Sequence, residues 1–297
     1  MFTVLAPAKI NWTLNVLDER PDGYHNIQSL MHCISLYDEL GFDLSGNIEV
    51  ISNMNLPPEQ NLVYKTAVML REYSGTDKGA KIILRKSVPS GAGLGGGSSD
   101  AAYALIGLNR LWKLGYDNSE LENIGRNIGS DVPFFFHCPI GLIEGKGEII
   151  TPLDIDATYT LLLVKPPASI STSWAYKTLK KERVRVFENG GVQSSAELTK
   201  NGFKRDNIKL IYEALVQRDF ALLRNLISND LESIATAHFS IIGKLKKELL
   251  DSGAYIAMMT GSGSAVFGLF ENRREAVIAS RNFTSFWHAI VNTLKKT

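Results

Sequence analysis

The stretch PSGAGLGGGSSDAA, residues Pro89 to Ala102, decides how this chain is read. Glycines stand at 91, 93, 95, 96 and 97, and two serines, an aspartate and two alanines follow at once. Glycine is costly in backbone entropy, so a cluster this dense serves a conformational purpose. The purpose that fits is a loop of backbone N–H groups wrapped round an anion and opening into a helix. The positive end of that helix faces the same anion.

The flanks agree with that reading. Lys81–Lys86 alternates as a strand does. Ser98–Leu114 has Ala101, Ala102, Leu105, Leu108 and Trp112 on one helical face, with Gly115 as the stop. A linker is not usually set between a strand and so strongly patterned a helix. Two familiar phosphate motifs fail. The G-x-x-x-x-G-K-[ST] pattern needs a lysine where Gly97 stands. The dinucleotide pattern G-x-G-x-x-G is met by Gly91, Gly93 and Gly96, and Asp117 lies about twenty residues on. That acid should end a strand, whereas Asp117 sits between two expected helices, where it reads as a cap or turn residue. What remains is a loop working through backbone N–H groups, with the hydroxyls of Ser98 and Ser99 free to meet phosphate or a hard cation such as Mg²⁺.

Further out, Val4–Leu17 reads as a strand, or two with a bend at Pro7. Arg20–Tyr24 reads as a turn built on Pro-Asp-Gly. Gln28–Leu36, Gly46–Ser52, Phe134–His137, Gly141–Glu144, Tyr159–Lys165, Ala257–Met259, Ala265–Phe270 and Trp287–Val291 read as strands. Helices are expected over Asn61–Tyr73 with Asn61 as N-cap, and from Asn118 to Ile128 with Asn118 or Ser119 as N-cap. Others are expected over Phe220–Ala235, Ile241–Ser252 and Arg273–Ser280. Lys180–Asn207 is polar and reads as a surface excursion. A composition shift near Thr151–Thr158 suggests two domains, 1–155 and 156–297.

Composition narrows the function class. The chain has 297 residues, 44% hydrophobic and 21% charged, with a formal net charge of +1. That is an ordinary globular composition, without the basic excess of a nucleic-acid surface. There is no run of about 18 apolar residues to span a membrane. Lys9, Asn11 and Asn15 interrupt any leader-like segment at the start. Cys33 and Cys138 form neither a metal-ligand spacing nor a disulfide framework, and read as free thiols in a reducing compartment. The expectation is a cytoplasmic protein acting on a small molecule, with no nucleic-acid or membrane partner, as a monomer or homodimer.

Phosphoryl transfer asks for aligned oxygens, charge neutralisation and a place for the acceptor's proton. Asp131, in Gly-Ser-Asp-Val-Pro-Phe, could take that proton. By position alone it could equally be a turn residue or a paired core acid. Lys9 interrupts an apolar strand, where an inward lysine is expensive unless paired, so it faces either a carboxylate or solvent. Asn11 shares its face. Tyr24 and His25 follow the turn and could stack on a base and bond its edge, or simply pack there.

The loop P-x-G-x-G-L-G-G-G-S-S-D-A-A resembles the nucleotide loop of the GHMP kinases, the family of galacto-, homoserine, mevalonate and phosphomevalonate kinases. Other blocks are Ala6–Asn11 (APAKIN), Arg20–His25 (RPDGYH), Ile128–Phe135 (IGSDVPFF), Glu144–Leu153 (EGKGEIITPL), Ser228–Glu232 (SNDLE) and Met259–Phe267 (MTGSGSAVF). Together they are similar to the branch of that family whose acceptor is cytidine diphosphate methylerythritol, in the non-mevalonate route to isoprenoids. Ser90 and Ala92 stand where the family often has a larger residue and a glycine, which removes no backbone N–H.

The resemblance implies a two-lobed α+β fold. Its N-terminal lobe would be like ribosomal protein S5 and its C-terminal lobe a ferredoxin-like α/β unit, with the active site between them. It implies ATP as donor, Mg²⁺ as its companion, and phosphorylation of the acceptor's 2-hydroxyl. Lys9 and Asp131 are carried over as catalytic. The nucleotide would take Pro89, Ser90, Gly91, Ala92, Gly93, Leu94, Gly95, Gly96, Gly97, Ser98 and Ser99, with Asn61 and Leu62 beside adenine and Ser99 as candidate Mg²⁺ ligand. The acceptor would take Asn11, Tyr24, His25 and Tyr176, with Trp174 near enough to rival Tyr176, and the second glycine loop of Gly261, Ser262 and Gly263. Glu144 and Asp230 are expected to be structural. The rival readings are another GHMP kinase, of mevalonate or homoserine type, and a non-catalytic ATP-binding module.

Overall fold

The computed structural model describes residues 1–54, 57–137, 139–188 and 203–296. Two long strands form its spine. β1 (Phe2–Glu19) and β2 (His25–Ser45) pair antiparallel across the Arg20–Tyr24 turn. Asp22 closes that turn by accepting from the Tyr24 N–H at 3.1 Å. Gly23 takes φ +81°, a value a side chain would resist. β3 (Ile48–Ser52) lies parallel to β4 (Gly79–Arg85), and β5 (Ile140–Glu144) is antiparallel to β6 (Ile149–Leu153). The first sheet runs β3-β4-β2-β5-β6, with β1 also on β2.

The α-helices described in this half are α1 (Leu62–Ser74), α2 (Gly96–Trp112) and α3 (Asn118–Gly125). α2 packs on β1 and β2. Its alanines 101, 102 and 104 are fully buried and small enough to bring the helix close to the sheet. The chain leaves the first sheet at Leu153 and enters the second at Thr160. The second sheet is ordered β10-β7-β9-β8, from β7 (Thr160–Lys165), β8 (Ile256–Met259), β9 (Val266–Phe270) and β10 (Trp287–Asn292). Around it lie α4 (Thr172–Glu188), α5 (Phe203–Gln217), α6 (Phe220–Leu226), α7 (Asp230–His238), α8 (Ser240–Asp251) and α9 (Arg273–Ser280). This is the expected α+β arrangement of two sheet-and-helix lobes.

The lobes share a core. Trp12 of β1 packs edge-on against Tyr159 and Phe267, both at 5.6 Å between ring centroids. Its indole N–H donates to Nδ1 of the buried His32, whose Nε2 in turn donates to the Leu294 carbonyl at 2.7 Å. Burial lowers the His32 pKa to about 4.

One edge of β1 positions the site. β2 covers the other edge, so the outward N–H groups need partners from elsewhere. The Lys9 N–H donates to Leu94 O at 2.9 Å and the Leu14 N–H to Ser228 O at 2.8 Å. The Asn11 N–H donates to Thr260 Oγ1 at 3.0 Å and the Val16 N–H to Asp230 Oδ2 at 2.8 Å. A register shift between Asn11 and Thr13 moves the outward positions from 9 and 11 to 14 and 16. The first glycine loop, the second glycine loop and the Ser228–Asp230 segment are thus stitched in sequence along one strand.

Several expected elements differ. Phe134–His137 is not a strand. Pro133 opens a short 3-10 helix, Pro133–Phe136, that turns the phenylalanines into the core. The cap of α3 is Asp117, in a capping box with Glu120, which also removes it as a ribose ligand. The expected helix Phe220–Ala235 is two helices. The Asn229 side chain accepts from the Leu231 N–H and starts α7 afresh. The expected excursion Lys180–Asn207 carries the end of α4 and the start of α5, and 189–202 lie outside the described residues. β1 is continuous, with a register irregularity between Pro7 and Ala8 in place of a break. Cys33 is a buried thiol; Cys138 lies outside the described residues. Among the described residues no helix is long and apolar enough to cross a membrane.

Candidate active site

One cavity of about 930 Å³ runs along the seam between the lobes. Its floor is the first glycine loop. Pro89 to Ser98 line it without interruption, and Asn61 and Leu62 line it beside Gly97. Gly91, Gly93 and Gly95 have φ of +63°, +75° and +69°, which turn successive backbone groups inward. Gly95 is the N-cap of α2 and makes no side-chain cap bond, so the first N–H groups of the helix are left for an anion. Asn61 caps α1, accepting from the Val63 N–H at 2.9 Å, and also faces the cavity. Both expected roles of Asn61 are therefore compatible.

The second glycine loop presses on the first. A Cβ on Gly93 would stand 2.0 Å from Thr260 O, and one on Gly261 would stand 2.8 Å from Gly93 O. The Ala265 N–H donates to Ala92 O at 3.1 Å. Gly261, Ser262 and Gly263 all line the cavity.

Lys9 and Asp131 meet where the loops converge. Lys9 is 3% exposed, and its Nζ donates to Asn11 Oδ1 at 2.6 Å and lies 3.8 Å from Asp131 Oδ2. Asn11 is held in turn by its Nδ2, which donates to Ser29 Oγ at 2.7 Å. Burial lowers the Lys9 pKa and the Asp131 carboxylate opposes that shift. Of the alternatives open at sequence level, Lys9 is the inward, paired lysine. Asp131 is its partner, with 31% of its side chain exposed to the cavity. A carboxylate that can reach an acceptor and an ammonium beside it are the groups a proton transfer next to a phosphate requires.

A second charge cluster, missed in the sequence, braces the loop, and its Lys86 and Asp100 also line the cavity. Lys86 Nζ bridges Asp38 and Asp100, at 2.5 Å to the latter. Asp38, fully buried, also accepts from the N–H groups of Ser87 (2.6 Å) and Val88 (2.8 Å), just before the loop. Burial raises Asp100 to about 7, against the pull of Lys86. The available signals were a lysine ending an apolar strand and an aspartate among the alanines of α2.

The other end of the cavity is built from side chains. Tyr24 is 57% exposed, with Lys146 Nζ 4.9 Å from its ring centroid. His25 and Tyr176 face each other at 5.5 Å between centroids. Burial lowers the His25 pKa, and it raises that of Tyr176 well above the usual phenol value, helped by Asp131 and Asp230. Lys146, Ser173, Lys177 and Lys180 line the same region and were not expected. Trp174 packs on His238 (4.9 Å) and Phe239 (5.7 Å), so Tyr176 is the aromatic that faces the cavity.

Ser99 requires a correction. It is fully buried, it does not line the cavity, and its hydroxyl has no hydrogen-bond partner among the described residues. One helical step of about 100° from Ser98 turns it away from the loop. Ser98 is the hydroxyl that faces the cavity. Among the described residues no three His, Cys, Asp or Glu side chains gather as a metal cluster.

Comparison with known proteins places these features. The model of the GHMP kinases N terminal domain matches residues 61–138, and that of the GHMP kinases C terminal domain matches 211–289. The chain is 45% identical to 4-diphosphocytidyl-2-C-methyl-D-erythritol kinase of Thermodesulfovibrio yellowstonii, over 99% of this chain and 98% of that protein. It is 38% identical to the protein of the same name from Chlorobium phaeobacteroides, over 95% and 93%. Among solved structures, a 4-(cytidine 5'-diphospho)-2C-methyl-D-erythritol kinase superposes with a TM-score of 0.79 at 28% identity, covering 99% of this chain and 100% of that one. Homoserine kinase from Cytophaga hutchinsonii superposes at 0.73 with 19% identity, over 99% and 94%, a likeness of fold.

Proposed function

The chain belongs to the GHMP kinase family, and we propose that it transfers the γ-phosphoryl of ATP to the 2-hydroxyl of 4-diphosphocytidyl-2-C-methyl-D-erythritol. The observation that carries this is the conjunction in one cavity of the glycine loop, the Lys9–Asp131 pair and the Tyr24–His25–Tyr176 group. A phosphate loop alone fits any nucleotide. A phosphate loop with a carboxylate–ammonium pair and an aromatic subsite fits a kinase whose acceptor carries a base.

In this reading the triphosphate rests on the N–H groups of Gly91–Gly97 and the start of α2. Asp131 accepts the proton of the acceptor hydroxyl as its oxygen bonds to the γ-phosphorus and the bond to the ADP oxygen breaks. Lys9, fixed by Asn11, neutralises charge on the transferring group. Mg²⁺ would supply further neutralisation of the phosphate oxygens, with Ser98 and Asp131 as the oxygen donors at hand. Tyr24 and Tyr176 stack on cytosine, and neutral His25 bonds its edge. The diphosphate falls near Lys146, Lys177 and Lys180.

The test is ADP release by the full chain with the cytidyl acceptor, mevalonate and homoserine in parallel. Turnover with the first alone is expected. Turnover with mevalonate or homoserine and none with the cytidyl compound would replace the acceptor. ATP binding with no turnover at all would favour a non-catalytic module.

A further inference from the structure

We infer that the segment Ser228–Glu232 is a positioning element for both ends of the cavity, with Asn229 setting the phosphate end and Asp230 the base end. This rests on the kinase reading above and assigns that reaction two residues outside the cavity lining. Of the segment, Leu231 alone lines the cavity. Its polar groups point the other way, into the seam between lobes.

Asn229 holds the second glycine loop. It is 8% exposed, and its Nδ2 donates to two backbone carbonyls, Met259 O and Gly261 O, each at 2.8 Å. Its Oδ1 accepts from the Leu231 N–H at 3.0 Å, so the amide is used at both ends. Glu232 fixes the approach to the same loop by accepting from the Met259 N–H at 2.6 Å. Thr260 and Gly261 both abut Gly93 of the first loop, and the Thr260 hydroxyl accepts from the Asn11 N–H. A shift of Gly261 is therefore passed to the phosphate floor on one side and to the Lys9–Asn11 pair on the other. Loops packed this closely have no slack to absorb it.

Asp230 holds α4. Its Oδ2 accepts from the Val16 N–H at 2.8 Å and from Arg183 Nη2 at 3.1 Å. Arg183 also donates to Val16 O (2.9 Å) and Leu17 O (3.1 Å). The guanidinium thus clips α4 to the end of β1, with its five donors in a fixed fork. Tyr176 lies seven residues earlier, two turns along the same face of α4. It faces His25, which opens β2 just across the turn from that end of β1. The clip fixes the spacing between these rings.

The two halves separate kinetically. Asn229→Asp is nearly isosteric and keeps the acceptor that caps α7, but it turns an oxygen toward two carbonyls. It is expected to lower kcat about 10- to 100-fold and raise the KM for ATP, with the KM for the cytidyl acceptor within about twofold. Arg183→Met keeps the stem and removes the clip. It is expected to raise the acceptor KM about tenfold, with kcat and the KM for ATP within about twofold, and Arg183→Lys is expected to recover part of that loss. Both variants acting on the same parameter, or both lowering only the Tm, would overturn the assignment. If Asn229→Asp does not fold, the Arg183 pair decides: an unchanged acceptor KM in Arg183→Met overturns it. A wild type that binds ATP but does not phosphorylate the cytidyl compound would sink the kinase reading instead, and that result is visible before any variant is made.

Discussion

The two ends of the cavity are made of different materials. The phosphate end is backbone: glycines at positive φ, the bare N-terminus of α2, and two loops packed so tightly that a methyl group on Gly93 meets a carbonyl at 2.0 Å. The base end is side chain: Tyr24, His25 and Tyr176 drawn from a turn, a strand start and a helix of the other lobe, with Tyr24 more than half exposed. Backbone can be placed rigidly against a charge that is the same in every nucleotide. Side chains can be changed without disturbing the fold, so they suit the part of the acceptor that distinguishes it from others. In the proposed reaction chemistry belongs to the first end and selection to the second, and substitutions should separate the two.

The largest effect is expected from Asp131→Asn. It keeps the shape and removes the proton acceptor, so kcat should fall about 10²- to 10⁴-fold with the KM for ATP little changed. Initial rates of ADP release measure it. Full activity would remove Asp131 as the base. Gly93→Ala attacks the backbone end directly. The φ of +75° and the contact with Thr260 O are both incompatible with a Cβ, and a loss of about 3 kcal/mol is expected in urea unfolding, with ATP affinity falling in step. An alanine tolerated without cost would mean that the two glycine loops are not packed as described.

His32 tests the core that both ends share. Its folded value of about 4 lies below the ordinary value of 6.5. Between those values the unfolded chain binds the extra proton, so its stability contribution is intact above about pH 6.5. It drains away as the pH falls towards 4, by about 3 kcal/mol. Unfolding free energies from pH 7 to pH 4 should show this fall, and His32→Gln should flatten that part of the curve. Tyr176→Ala probes the base end. Loss of one stacking face is worth about 1–3 kcal/mol, so the acceptor KM should rise roughly 5- to 150-fold with kcat almost unchanged. A fall in kcat at constant KM would move Tyr176 to the chemical end. The smallest effect is expected from Lys247→Met. Its ion pair with Asp251 joins residues one turn apart on α8 with both partners exposed, so the urea unfolding midpoint should be almost unchanged.

The same contrast decides what the sequence could reveal. The phosphate end was legible because backbone geometry leaves a mark in residue type: glycine where φ is positive, small residues where a helix approaches a sheet. The Lys9–Asn11 relation was legible because strands alternate, and the 2.6 Å bond between them follows from that period. At the base end, the turn alone left Tyr24 and His25 open between base contact and packing, and Tyr176 was visible only through the family resemblance, since nothing local tells it from Trp174. The Asp38–Lys86–Asp100 cluster joins three segments and leaves no periodic trace. Ser99 failed because its side chain turns into the core at the start of α2, whereas Ser98 beside it faces the cavity. Pro133, read as a neighbour of a strand, instead set a 3-10 turn. Asn229 ended one helix and began another, where apolar spacing alone suggested a single one.

The most direct test of the proposed reaction is ³¹P NMR of the full chain with ATP, Mg²⁺ and 4-diphosphocytidyl-2-C-methyl-D-erythritol. The expected result is a new phosphomonoester resonance that grows with ADP while the acceptor's diphosphate signals persist. Loss of those diphosphate signals, or release of free phosphate from ATP with the acceptor unchanged, would contradict phosphoryl transfer to the acceptor hydroxyl.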